Sequence, residues 1–120
     1  MIDDPTFPSG VSISLDDERR LKYGHNALCE FENELGKPIG SLFSEEQVGF
    51  NTIRVLLWAG LIWETPGLTV DEAGQLIDQV PEEAAEDITN RAKYVLERCL
   101  LAFGANQVKT KKKTPAKKSA

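Results

Sequence analysis

The groups able to do chemistry are few and scattered along the 120 residues. His25 is the sole histidine and stands at the start of a predicted helix, where it suits a cap or a packing group as well as a base. A general base needs a nucleophile and an orienting partner beside it, and the sequence assembles no Ser–His–Asp set, glycine-rich phosphate loop or metal-ligand cluster. Cys29 and Cys99 are far apart and lack metal-type spacing. Each falls on an apolar helix face, so both are expected as buried thiols. The acidic pairs Asp16/Asp17, Glu45/Glu46, Asp71/Glu72 and Glu82/Glu83 sit at turns and helix starts, where helix-dipole and solvation roles account for them. "DDER" lacks the alternating oxygen ligands of a calcium loop. The expectation is a chain that is not an enzyme, with no metal and no cofactor.

Charge divides the chain into two objects. Residues 105–120 hold six lysines and no acid, which leaves eight of the 14 basic residues against all 19 acids in the other 104, a net of −11. Such a tail attracts nucleic acid or any acidic surface without reading sequence. It has no arginine and no aromatic for stacking, and the acidic body repels phosphates, so nucleic acid is not the expected partner. "MIDDPTFPSG" has neither the basic start nor the apolar block of a signal segment, and the expectation is a soluble intracellular protein.

The elements that position these groups follow from periodicity. Residues 1–10, rich in Pro, Gly and Asp, form a flexible arm. "VSISL" alternates Val11, Ile13 and Leu15 against two serines, "DDE" turns, and "RRLKYG" returns with Leu21 and Tyr23 on one face, predicting a hairpin. "HNALCEFENELG" predicts a helix with Leu28, Phe31 and Leu35 inward and Gly36 as its left-handed stop. Ser44 and Gln47 suggest a capping box opening a second helix over about 45–64, broken by Pro66 and Gly67. Thr69 and Glu72 form another, for a helix striped by Val70, Ala73, Leu76, Ile77 and Val80. Pro81 opens a fourth, with Ile88, Ala92, Val95, Leu96, Cys99, Leu100 and Phe103 buried and Gly104 as its end. The fold class is therefore α+β, mainly α: about four helices and an N-terminal β-hairpin in one domain over 11–104, with a disordered basic tail.

The second helix is the natural centre. Within the eleven residues 53–63 only Arg54 is polar, too short a run for the about 20 residues of a membrane span. At about 100° per residue from Ile53, Gln47, Asn51 and Arg54 fall in a wedge from about 100° to 160°. Val48, Val55, Leu56, Ala59 and Trp63 lie opposite, as core. Trp58 falls inside the wedge, and Leu61 and Ile62 flank it. Either the fourth helix or the N-terminal arm covers Trp58, or Trp58, Leu61 and Ile62 form a docking patch for another chain.

Two segments carry a resemblance. "LKYGHNALCEFENELGKPIGSL" and "IRVLLWAGLIWETPGLTVDEAGQLID" resemble the tail assembly chaperones of long-tailed bacteriophages and gene transfer agents, some of them also labelled tail tube proteins. The first matches at Leu21, Tyr23, Asn26, Ala27, Leu28, Glu32, Leu35 and Gly36. The second matches from Leu57 to Leu61, at Glu64, Pro66, Leu68, Thr69, Glu72 and Gly74, and from Leu76 to Asp78. The likeness spans about 11–103. It implies a non-enzymatic protein that coats the tape measure protein in the host cytoplasm and is absent from the finished particle, with the tail tube subunit as a further partner contacted by the extra domain of a longer form. It also implies that ribosomal slippage makes this longer form in some systems, for which A-rich codons at Lys111–Lys113 offer a site. A tail tube or tail completion subunit retained in the virion is the alternative, and a nucleic-acid-associated protein using the lysine tail is another. The pattern itself assigns no partner-binding residue.

Overall fold

Alternation at the N-terminus becomes a two-stranded antiparallel sheet. In the computed structural model, which describes the backbone of residues 10–44 and 48–113 and their side chains except Phe43 and 105–113, β1 (Val11–Ser14) pairs with β2 (Glu18–Leu21). Val11 faces Leu21 and Ser14 faces Glu18 across the 15–17 turn. Ile13, Leu15, Leu21 and Tyr23 are buried, as the alternation requires.

A lone hairpin is marginal in water, and here both outer edges are closed by helices. Helix α1 (His25–Leu35) ends at Gly36 in the left-handed conformation, φ 83°, whose N–H returns to the Glu32 carbonyl at 2.8 Å. A 3-10 segment (Ile39–Ser44) buries Leu42 and leads to α2 (Phe50–Leu61). Helix α3 (Val70–Ile77) and the long α4 (Ile88–Lys113) complete the domain. From α4, Arg98 donates through Nε and Nη2 to the Ser12 carbonyl at 3.0 and 2.7 Å, and Tyr94 Oη accepts from Ser14 N–H at 3.0 Å. On the β2 edge, Lys22 N–H donates to the Gly60 carbonyl and Trp63 Nε1 to the Arg20 carbonyl, each at 3.0 Å.

Helix α2 packs against α1, α3, α4 and β2. Eight of its 12 residues are buried, so it is enclosed on nearly every side. Midway along it Tyr23 Oη donates to the Leu56 carbonyl at 2.6 Å, inside the core.

Several boundaries differ from the sequence expectation. Helix α2 starts at Phe50 with Gly49 as its cap, because Ser44 instead closes the 3-10 segment by donating to the Ser41 carbonyl; Gln47 lies outside the described residues. The capping box at Thr69 and Glu72 forms with both hydrogen bonds, at 3.1 and 3.0 Å. Pro81 opens a single turn, and α4 begins seven residues later at Ile88, where the Asp87 carboxylate accepts the Asn90 N–H at 2.8 Å. An aspartate cap satisfies an orphan donor that Pro81 cannot reach. Gly104 does not end α4: it is not left-handed, and the helical backbone runs on to Lys113. Arm residues 1–9 and tail residues 114–120 lie outside the described residues. No helix among the described residues is long and apolar enough to cross a membrane.

Candidate protein-binding groove

The three residues expected to form a docking patch meet different surroundings. Leu61 is 1% exposed and belongs to the core, which corrects its placement beside the polar wedge. Helix α2 meets the hairpin at this end, so the wheel position at the wedge margin is filled by the protein itself. Trp58 is half-buried and donates from Nε1 to the Leu68 carbonyl at 2.8 Å, in the turn before α3. That turn supplies its polar partner. Ile62 is half-buried and lines a different cavity.

That cavity, about 600 Å³, opens at the start of α1 beside Lys22, His25, Asn26, Glu30 and Trp63. Trp63, expected in the core, is 41% exposed because α2 ends two residues before it. Lys22 Nζ lies 5.0 Å from the centroid of its ring. Among the described residues the lining holds His25 but no serine, threonine or cysteine, and no group of three or more His, Cys, Asp or Glu side chains converges to hold a metal. Cys29 is exposed, contrary to expectation, because α1 turns Ala27 and Phe31 inward and Cys29 away from them. Cys99 is buried as expected and hydrogen-bonds with Tyr23. Burial pushes its thiol up to about 12, against the opposing effect of that bond, and burial also raises the Tyr23 phenol.

Apolar surface is left open elsewhere, where the starts of α2 and α4 meet. Phe50 is 62% exposed and Ile88 is 63% exposed. Phe50 divides two cavities that share Ile53 and Ala92 as buried lining. The larger, about 540 Å³, adds Val48 and Leu96, with Lys93 at its edge. The smaller, about 190 Å³, adds Ile77 and Ile88, with Arg54, Arg91 and Asp78. Comparisons with protein-family models, with curated proteins and with solved structures give no match. The assignment of this groove therefore rests on its own geometry.

Arg54 donates from Nη2 to Asn51 Oδ1 at 2.7 Å and approaches Asp71 Oδ1 at 3.4 Å. Its stem lies across α3 at Gly74, where a Cβ would come within 2.9 Å of Cδ. The buried Nε atoms of Arg54 and Arg91 meet no acceptor among the described residues. Phe50 was not among the expected site residues, and Ile88, expected on the buried face of the fourth helix, is exposed instead. For Phe50 a signal existed, since it falls at about 60° on the α2 wheel, next to Arg54. For Ile88 the missing signal was the true start of α4: a residue in the first turn projects beyond the neighbours that cover later turns.

Proposed function

We propose that this chain is a tail assembly chaperone that holds apolar, helical segments of a tape measure protein during assembly of a phage-type tail. One observation supports the reading most: Phe50 and Ile88 stand more than 60% exposed over an apolar groove framed by two helices. A monomeric protein seldom displays a contiguous apolar patch without using it, and an amphipathic helix laid in a groove is the usual way to cover one. The motif residues in "LKYGHNALCEFENELG" and "LLWAGLIWETPGLTVDEAGQLID" resemble those of such chaperones. Their meeting point, Tyr23 against Gly60, is internal, so the motifs specify the frame and the groove offers the contact. The acidic body, at −11 outside the tail, keeps neighbouring copies soluble on one strand of tape measure protein.

Co-expression with a tape measure fragment tests the reading. The native chain is expected to keep the fragment soluble and to co-purify with it. The double variant Phe50→Ala/Ile88→Ala should melt within about 0.5 kcal/mol of the parent, since both residues are exposed, and should lose the fragment. Equal recovery of the fragment with the double variant overturns the reading. So does stoichiometric chain in purified particles, which would make it a structural subunit of the tail.

A further inference from the structure

We propose that the groove around Phe50 selects an amphipathic helix whose apolar stripe is flanked by carboxylates. This deepens the reading above by naming the chemistry of the occupant at the same site.

Charge carries the inference. Outside residues 105–120 the protein is strongly acidic, yet the two cavities beside Phe50 are lined by Arg54, Arg91 and Lys93 against one carboxylate, Asp78. Among the described lining residues, positive charge therefore exceeds negative at this apolar surface. Lys93 borders the larger cavity and the two arginines border the smaller, so cations stand at both ends of the shared floor of Ile53 and Ala92. Among the described residues neither Arg91 nor Lys93 makes an ion pair, and Arg54 meets Asp71 only at 3.4 Å. A rim of this sign repels a helix with lysines beside its stripe. It orients one with glutamate or aspartate on both flanks, while the apolar floor supplies most of the adhesion.

The lysine tail also attracts acids, so the test must separate tail from groove. Two designed helical peptides serve as probes, with the same leucine stripe and either glutamate or lysine flanks. Fluorescence anisotropy with the full chain at low salt is expected to show the glutamate peptide binding about tenfold tighter, with the preference shrinking as salt rises. Lys93→Glu, at an exposed position, should cut the preference, and Arg91→Glu/Lys93→Glu should reverse it, although the tail is unchanged. Phe50→Ala should weaken both peptides. Equal binding of the two peptides, or a preference that survives both charge reversals, overturns the inference. Phe50-dependent self-association in sedimentation, without peptide binding, would give the groove to a second copy and overturn it equally. Because the peptides are designed, loss of tape measure binding with the peptide preference intact removes only the proposed function. Loss of the preference with tape measure binding intact removes only the charge rule.

Discussion

Tyr23 lies against the bare Cα of Gly60: a Cβ placed there would come within 2.7 Å of the ring carbon Cζ and of Oη, and within 2.9 Å of Leu21 Cδ2. The ring cannot easily give way, because its hydroxyl is tied to the Leu56 carbonyl at 2.6 Å one turn earlier in α2. The same glycine accepts the Lys22 N–H on its carbonyl, so strand and helix approach closely at this point.

Gly60→Ala should therefore destabilise the protein, although alanine favours a helix by about 1 kcal/mol over glycine. Overpacking a rigid site costs about 1–3 kcal/mol, and the clash should win by about 1 kcal/mol or more. Urea denaturation measures it. Unchanged or raised stability would mean that the strand can retreat from the helix.

Arg98 and Tyr94 close the β1 edge from one face of α4, four residues apart. Arg98→Ala leaves the Ser12 carbonyl without its charged donor and should cost about 1.5–3 kcal/mol. Tyr94→Phe should cost about 1 kcal/mol. Amide exchange should quicken first at Ser14 in the tyrosine variant, because its N–H loses its acceptor.

Trp58 is held by the turn before α3, so its replacement is a stability change. Trp58→Phe loses the hydrogen bond to Leu68 and should cost about 1 kcal/mol. Trp58→Ala should cost several times more, since it also removes packing against the core. Groove binding measured on the folded phenylalanine variant should be unchanged.

Cysteine reactivity separates the two thiols. In the native protein one equivalent should react rapidly with a disulfide reagent, at exposed Cys29, and two should react in denaturant. Cys99 at about 12 lies above its ordinary 9.0, and Tyr23 is raised above 10.0. The folded state thus favours the neutral forms. Their contribution is complete below pH 9 and fades as pH climbs through about 12. Urea midpoints should fall across that alkaline range, and Tyr23→Phe combined with Cys99→Ala should flatten the decline.

Local patterns in the chain determined much of this protein. The period of two in "VSISL", the Thr69–Glu72 box and the glycine at 36 act over a few residues, and each forms as read. The apolar run at 53–63 likewise required a central helix, and α2 is central. Only tertiary structure decided which apolar residues stay uncovered. A helical wheel gives the direction of a side chain but not what stands in that direction. Leu61 points to the wedge margin and is sealed by its own protein, whereas Phe50, three turns earlier on the same helix, has nothing over it among the described residues. The difference lies in where distant segments arrive. The hairpin docks at the end of α2, and α4, starting at Asp87 and not at Pro81, brings Ile88 beside Phe50. Such meetings depend on residues dozens of positions apart, and no short-range period in the sequence encodes them.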